Sequence, residues 1–169
     1  TNERFLNRSV KFTFIEPYPD RLYSLLTPAD RQQKTKKEKT LQDIPVDYFE
    51  KLEENDILFI DSTHVSKTGS DVNYFLFEIF PRLKPGVIIH VHDVFYPFEY
   101  PKAWVIDGNG RFGWNEAYIL RAFLMYQDKF EILFHNDFLQ TFHTDWLAQN
   151  MPTYATRGRG SSIWLRKVK

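Results

Sequence analysis

Asp56-Ile57-Leu58-Phe59-Ile60-Asp61-Ser62-Thr63-His64-Val65 is the stretch of sequence that decides the fold. Its apolar run is too short for a helix and ends abruptly at Asp61, with His64 three residues further on. Such a run, bounded by polar residues, predicts a strand that is buried on both faces. The polar residues after it would then lie at the exit of this strand.

A second stretch repeats the design. Gly86–Val91 is another apolar run, it ends on His92-Asp93, and the intervening segment Asp71–Leu83 has apolar residues at helical spacing. Strand, helix and strand predict a right-handed βαβ unit. The carboxyl ends of its parallel strands would meet at one edge of the sheet, and function is expected at that edge.

Composition favours one folded domain over residues 1–169. The hydrophobic fraction of 43% is sufficient for a buried core, which makes disorder an unsuitable interpretation. Lys plus Arg equals Asp plus Glu at 22 each, so no global field attracts nucleic acid. The basic run Lys34–Lys39 contains no aromatic residue, and we expect a solvated segment there.

The chain has no cysteine, which leaves oxygen and imidazole groups as metal ligands and agrees with a reducing cytoplasm. No apolar run approaches the roughly 18 residues of a membrane span, and no signal-peptide pattern opens the chain. We therefore expect a cytoplasmic protein without a membrane partner.

Apolar spacing and turn residues predict the remaining elements. They are a strand over Val10–Glu16, an exposed edge strand within Arg31–Thr40, helices over Val46–Glu53 and from Trp114 to Tyr126, a strand over Phe130–Phe134, a short helix or turn within Phe138–Ala148 and a final strand over Ser161–Lys167. The final strand follows without a full crossover helix, so we expect it to run antiparallel to its predecessor. The aromatic-rich stretch Val94–Gly113 is typical of a lid or a binding loop.

Three motifs at strand exits carry a family resemblance. They are Phe14-Ile15-Glu16-Pro17-Tyr18-Pro19, the run from Asp56 to Lys67, and His90-Val91-His92-Asp93-Val94-Phe95-Tyr96-Pro97-Phe98-Glu99-Tyr100-Pro101. Together they resemble the class I S-adenosylmethionine-dependent methyltransferases, within them the methyltransferase-24 group. The resemblance implies an α/β, Rossmann-like, doubly wound and mostly parallel sheet with an antiparallel hairpin at its C-terminal end.

The chain departs from this family at its start. The family's first strand and glycine-rich loop should precede the Glu16 strand, and nothing before Val10 contains them. We therefore expect an incomplete domain that lacks the first strand and helix. The gap in the sheet would close by direct pairing of the Glu16 strand with the Asp61 strand. Alternatively, a second copy of the chain would pair at the exposed edge and form a homo-oligomer.

The resemblance implies S-adenosylmethionine as cofactor, with Glu16, Asp43 and Asp61 among the residues that bind it. A glutamate at the exit of this strand would accept both ribose hydroxyls, and Asp43 would lie beside the adenine amino group. Ordinary structural roles remain open, because Glu16 could cap the next turn and Asp43 could be a turn residue.

A metal site is predicted from Asp61, His92 and Asp93, since both aspartates end neighbouring strands, with His64 as the alternative to His92. Mg²⁺ or another divalent ion there would hold a substrate hydroxyl and lower its pKa for methyl transfer. The alternative is a polar rim that binds no metal.

His64 is the candidate general base, because histidine titrates near neutral pH and His64 lies one turn beyond Asp61. It could instead be a loop histidine that is hydrogen-bonded to a carboxylate. His90 lies deeper in its strand and is interpreted as a core histidine.

These observations favour methyl transfer to an oxygen atom of a small-molecule acceptor, and two other functions stay open. One is a methyltransferase-like binding module without catalysis. The other is a metal-dependent hydrolase that uses Asp61, His64, His92 and Asp93.

The absence of a glycine-rich loop before Val10 yields a prediction for the 169-residue chain by itself. We expect it to bind S-adenosylmethionine poorly and to be inactive as a methyltransferase. Calorimetry with S-adenosylhomocysteine checks this expectation, with an N-terminally extended chain as the comparison. Micromolar binding by the isolated chain, about 8 kcal/mol, would contradict it.

Overall fold

The structure is a computed structural model that describes residues 10–27, 35–107, 113–151, 153–154 and 160–169. Residues 1–9, which hold the polar start of the chain, lie outside this range, as do residues 28–34, at the start of the expected edge strand, and most of the glycine cluster Gly108–Gly113. The chain divides into two compact units, Thr1–Ile44 and Pro45–Lys169.

The first unit contains a two-stranded parallel sheet. Strand β1 (Thr13–Ile15) pairs with β2 (Thr35–Lys37), with Thr13 opposite Thr35. Helix α1 (Asp20–Leu25) follows the proline-containing turn after Glu16, and a 3-10 turn covers Leu41–Asp43. The short strand expected before Glu16 and the lysine-rich strand are both confirmed over three residues each.

The second unit holds the other elements. In chain order they are a 3-10 helix Val46–Lys51, strand β3 (Ile57–Ile60), helix α2 (Asp71–Tyr74, continued by a π turn Phe75–Ile79 and a 3-10 turn Phe80–Arg82), strand β4 (Ile88–His92), a π turn Ala103–Asp107, helix α3 (Glu116–Leu124), strand β5 (Phe130–His135), helices α4 (Asn136–Phe142) and α5 (Thr144–Asn150), and strand β6 (Ser162–Lys167). The segment expected to be a helix over Val46–Glu53 is therefore a tighter 3-10 helix.

The four-stranded sheet of this unit has the order β3-β4-β6-β5. Strands β3 and β4 run parallel with Ile57 opposite Ile88, which confirms the strand-helix-strand unit. Strand β6 lies between β4 and β5 and runs antiparallel to both, as expected beside β5. The sheet of this unit is therefore mixed and carries the expected antiparallel hairpin at its C-terminal end, while a doubly wound, mostly parallel arrangement stays a prediction.

One face of this sheet forms the apolar core. Val91 lies opposite Ile60 on one side and opposite Ile163 on the other, and Ile89 lies opposite Leu165. All five side chains are buried. Aligned branched side chains on neighbouring strands fill this face without polar atoms, which stabilises the strand pairs that carry the polar exits.

The opposite face carries a row of rings. Phe59 stacks on His90 with ring centroids 4.3 Å apart, and His90 meets Trp164 edge-on at 4.5 Å. Phe59 is 59% exposed and Ile57 is 54% exposed, so the expectation that β3 is buried on both faces is wrong. The physical reason is that β3 has one neighbouring strand, β4, among the described residues, and an edge strand gains cover from one side only.

The expected pairing of the Glu16 strand with the Asp61 strand is also wrong. Strand β1 pairs with β2 in the sheet of the first unit, and β3 ends the four-stranded sheet within the described part of the chain.

Gly86 sets the start of β4. Its φ of +88° lies in the left-handed region, and a Cβ at this position would come within 2.5 Å of the Glu54 side chain. Glycine is therefore needed in this Leu-Lys-Pro-Gly turn, where the Gly86 amide also donates to the Lys167 carbonyl at 2.7 Å.

No helix in the described ranges has both the length and the apolar character that a bilayer span requires.

His90 gives the fold a measurable dependence on pH. The pKa of His90 is lowered to about 4, chiefly by burial and also by the charge of His92, while Asp61 opposes the shift. The folded state thus holds His90 neutral, while an unfolded chain takes up its proton near the usual value of about 6.5. We expect stability that is present above pH 6.5 to be lost as the pH falls towards 4, by up to about 3 kcal/mol.

Urea unfolding of the wild type and of His90→Phe across this pH range tests the expectation. The phenylalanine keeps a ring between Phe59 and Trp164 but has no proton to bind, so its stability should fall less over the same interval. Parallel losses in the two proteins would show that other groups cause the effect.

Candidate functional site

The candidate site begins at the loop that leaves β3. Asp71, the first residue of α2, fixes this loop, since its carboxylate accepts hydrogen bonds from the Thr63 amide at 2.9 Å and the Thr63 hydroxyl at 2.6 Å. His64 follows with a φ of +58°, in the left-handed region that few residues adopt. This turn directs the imidazole inward, and His64 is only 5% exposed.

A buried carboxylate meets the imidazole of His64. Oε2 of Glu116 lies 2.8 Å from Nδ1 of His64 and accepts a second hydrogen bond from the Ser62 hydroxyl at 2.6 Å. Glu116 is 1% exposed. The indole of Trp114 packs against the imidazole at a centroid distance of 4.0 Å. The ring is therefore held from one edge and one face.

The backbone joins the same two segments. The carbonyl of His64 accepts hydrogen bonds from the amides of Asn115 and Glu116, at 3.0 and 3.2 Å. The Asn115 side chain accepts from the Ser66 amide at 2.6 Å and donates to the Ser66 carbonyl at 3.1 Å. The start of α3 is thus attached to the β3 exit loop, and Glu116 lies at the end of the helix that favours a negative charge.

Two aspartates lie beyond the other nitrogen of His64. Nε2 lies 3.4 Å from an oxygen of Asp61 and 3.8 Å from an oxygen of Asp93. One ligand atom from each of Asp61, His64 and Asp93 can be chosen so that all three lie within 4.8 Å of one another. The structure therefore brings together the two strand-exit aspartates that the sequence placed at one edge.

The two aspartates differ in their surroundings. The Asp61 side chain is 60% exposed, whereas that of Asp93 is 18% exposed. Asp93 has a φ of +56°, its amide donates to the Ser161 carbonyl at 2.7 Å, and Oδ1 accepts from the Ser161 hydroxyl at 2.8 Å. Asp93 is a fixed wall of the site, and Asp61 faces solvent.

The acids govern the charge of His64. Burial by itself would lower the pKa of His64, but the hydrogen bond and charge of Glu116, together with the charges of Asp93 and Asp61, outweigh it and raise the pKa above 6.5. This environment favours positive charge at the imidazole.

The other histidines near the site have different positions. His92 contacts Asp93 with Nδ1 3.2 Å from Oδ1, but it is not part of the group formed by Asp61, His64 and Asp93. The compact group has His64 where the sequence predicted His92, and a ligand role for His92 stays a prediction. His90 lies in the ring row of the sheet and is buried, as a core histidine should be.

A cavity of about 380 Å³ adjoins Asp93 through Ser161. Its lining includes Phe95, Tyr96 and Tyr100 from the loop after β4. The Tyr100 hydroxyl accepts a hydrogen bond from the Ala117 amide at 3.0 Å, and burial raises the pKa of this phenol to about 12. The aromatic stretch after β4 thus supplies part of a cavity wall, as a binding loop would.

Comparison with known families settles what kind of domain carries this site. The methyltransferase-24 model, described as a methyltransferase domain, matches residues 5–94, which is just over half of the 169 residues. The chain belongs to this methyltransferase domain family. Comparisons with curated proteins and with solved structures gave no match. Membership confirms the resemblance and implies S-adenosylmethionine as methyl donor.

The methyltransferase match covers the two acids predicted to bind the nucleoside part of the cofactor, and both lie in the first unit. Glu16 follows β1 and is half-buried, and its Oε1 accepts a hydrogen bond from the Tyr18 amide at 2.9 Å. Asp43 ends the 3-10 turn Leu41–Asp43, is exposed, and accepts from the Thr40 hydroxyl at 2.7 Å. These local bonds match the turn and cap roles that the sequence also allows, and cofactor binding by these residues stays a prediction.

Glu116 was not among the candidates from the sequence. It lies outside the part that matches the methyltransferase family, and an acid in the first turn of a helix is common for dipole reasons alone. Glu116 does share the buried face of α3 with Ala117 and Leu120. A charged residue on such a face needs a partner, and this position is the signal that could have indicated a role for Glu116.

The contact between Glu116 and His64 predicts a fixed imidazole tautomer. In the neutral ring, Nδ1 should carry the proton and Nε2 the lone pair, because a carboxylate at 2.8 Å accepts from Nδ1. Nitrogen-15 NMR of metal-free protein, at a pH above the raised pKa of His64, measures this directly.

Two variants of Glu116 make the comparison sharp. Glu116→Gln retains an acceptor oxygen and should keep the tautomer. Glu116→Leu should lose it, and leaving Ser62 and His64 without their partner should destabilise the fold by roughly 1–3 kcal/mol per unpaired group. A wild-type ring with its proton on Nε2 would contradict the assignment.

Proposed function

We propose that this methyltransferase transfers a methyl group from S-adenosylmethionine to a hydroxyl oxygen of a small molecule. The observation that carries the proposal is the group Asp61, His64 and Asp93 at the exits of β3 and β4. A hydroxyl must lose its proton as it attacks a methyl group, and this group combines a proton acceptor with two negative charges. Methyl transfer to an atom that is already nucleophilic would need no such group.

The chemistry of Glu16 and Asp43 fits the nucleoside part of the cofactor. Among the described contacts, Glu16 uses Oε1 for the Tyr18 amide and Asp43 uses Oδ2 for the Thr40 hydroxyl. Each carboxylate has further lone pairs, and ribose hydroxyls and an adenine amino group are donors that match them. S-adenosylmethionine, when bound, supplies a methyl group on a positively charged sulfur.

The protein's own part in the reaction is to orient the hydroxyl and to receive its proton. The wall formed by Asp93, Ser161 and the buried His64 offers acceptors in fixed positions, which lowers the entropic cost of reaching a reactive geometry. Proton removal at this group can occur in two ways, either directly at Nε2 of His64 or through a divalent cation held by the same side chains.

The cavity beside Asp93 supports a small acceptor. Its volume of about 380 Å³ lies in the range of small-molecule sites, roughly 300–1,000 Å³. Aromatic side chains give it apolar walls, and Ser161 connects it to Asp93 by a hydrogen bond. An acceptor with an apolar body and a hydroxyl at one end would satisfy both parts of this arrangement.

Methyl transfer by the full-length gene product tests the proposal. Isotope-labelled S-adenosylmethionine would be supplied with a panel of small hydroxylated compounds and matched amines of the same skeleton. We expect label on oxygen, and a fall of about tenfold or more in kcat/KM for Asp93→Asn, because this change removes a negative charge without changing shape. Asparagine also tolerates the left-handed backbone at this position.

Asp128→Asn is the matched control. Asp128 is an exposed acid that pairs with Lys169 and lies outside the group of Asp61, His64 and Asp93. It should retain wild-type rates. Label found only on the amines, or equal rates for Asp93→Asn and the wild type, would contradict transfer to oxygen at this group.

A further inference from the structure

The second nitrogen of His64 has a geometry that a hydrogen-bonded histidine does not need. Nε2 lies 3.4 Å from Asp61 and 3.8 Å from Asp93, both longer than an ordinary hydrogen bond. A proton shared with either oxygen would draw the pair to roughly 2.7–2.9 Å. Two ligand atoms of one ion, by contrast, lie further from each other than either lies from the ion, and the ion-to-ligand distance is roughly 2.0–2.2 Å. The separations of 3.4 and 3.8 Å fit that arrangement.

The buried side of the imidazole is already committed. Nδ1 is bonded to Glu116, Glu116 is bonded to Ser62, and Trp114 covers the ring face. A metal-ligating histidine almost always gives its other N–H to a carboxylate or a carbonyl, which fixes the ring and makes it a stronger donor. Glu116 therefore occupies the position relative to His64 that a supporting carboxylate has behind a ligand histidine.

We infer that Asp61, His64 and Asp93 form a site for a divalent transition-metal ion such as Zn²⁺, and not for Mg²⁺. The inference rests on the proposed function and selects the second of its two ways of removing the proton. Mg²⁺ and Ca²⁺ take oxygen ligands, whereas an imidazole nitrogen favours Zn²⁺ and the later first-row ions. A nitrogen donor supported by a buried carboxylate thus changes the class of ion that the two aspartates alone would suggest.

The ligand count agrees with a catalytic ion. Three protein ligands are typical of catalytic zinc, whereas structural zinc has four, and the remaining position is open to water or to a substrate oxygen. Asp61 is 60% exposed, so the group is open on one side, while His64 and Asp93 close the other. The open side is where an acceptor hydroxyl would bind.

The test is a comparison of ions on metal-free protein. Isothermal titration with ZnCl₂ and MgCl₂ should show Zn²⁺ binding at least tenfold more tightly than Mg²⁺ to the wild type. Nitrogen-15 NMR during the zinc titration should shift Nε2 of His64 and leave His90 and His135 unchanged. Equal affinities for Zn²⁺ and Mg²⁺, or a zinc titration that leaves Nε2 of His64 unshifted, would overturn the inference.

Two variants separate the roles of the donor and its support. His64→Asp replaces the nitrogen by oxygen at a backbone position that aspartate tolerates, and it should lower the ratio of Zn²⁺ affinity to Mg²⁺ affinity by about tenfold or more. Glu116→Gln should weaken Zn²⁺ binding by about 10–100-fold, as loss of a supporting carboxylate does. Glu131→Gln, an exposed acid on β5 that pairs with Arg166, is the control and should bind as the wild type does.

The wild-type measurements are sufficient by themselves if a variant fails to fold. An unchanged ratio of Zn²⁺ affinity to Mg²⁺ affinity in a folded His64→Asp variant would overturn the inference. The outcome is separate from that of the methyl-transfer assay. Tight Zn²⁺ binding at His64 without any methyl transfer to oxygen would contradict the proposed function but support the zinc site. Methyl transfer to oxygen without a preference for Zn²⁺ would support the proposed function and overturn the zinc site.

Discussion

The hydrogen bond between His64 and Glu116 is the interaction on which the site depends. It joins the exit of β3 to the first turn of α3, and the amides of Asn115 and Glu116 reinforce it by donating to the His64 carbonyl. Without it, Nδ1 of the buried imidazole would lose its carboxylate partner and the buried carboxylate would keep the Ser62 hydroxyl alone, and buried charge without an adequate partner is costly. The same bond turns Nε2 towards Asp61 and Asp93, so one contact serves both the fold and the chemistry.

The sheet supplies the second constraint. Strands β3 and β4 run parallel in register, so Asp61 and Asp93 both leave the sheet at the same edge. The apolar rows that contain Ile60, Val91 and Ile163 hold that register, because a slip by one residue would turn these side chains to the other face. The separation of the carboxylates is therefore set by core residues that never touch the site.

Sequence patterns predicted the parts of this arrangement that depend on local periodicity. The strands around Ile57–Ile60 and Ile88–His92, the helix between them, the closing antiparallel pair and the shared edge of Asp61 and Asp93 all follow from apolar runs and their polar ends. The family was evident from motifs at strand exits and is confirmed over residues 5–94.

What the sequence missed depends on contacts between distant segments. Glu116 is 52 positions from His64, and nothing near it indicates that it faces a histidine. The sequence favoured His92 over His64 as the third member of the group, because no local pattern reveals the left-handed backbone at His64 or the closeness of its imidazole to both aspartates. The exposure of Phe59 and the place of β6 between β4 and β5 are likewise properties of strand order, which apolar periodicity alone does not determine.

The left-handed backbone at His64 and Asp93 has an evolutionary consequence. Glycine, asparagine, aspartate and histidine adopt this conformation readily, whereas a β-branched residue is a steric outlier there. Selection at these two positions therefore acts first through the backbone and only then through chemistry. A substitution of either residue by asparagine or glycine would keep this backbone conformation but remove the imidazole or the carboxylate. Related proteins with an intact fold and an inactive site can therefore arise by single substitutions.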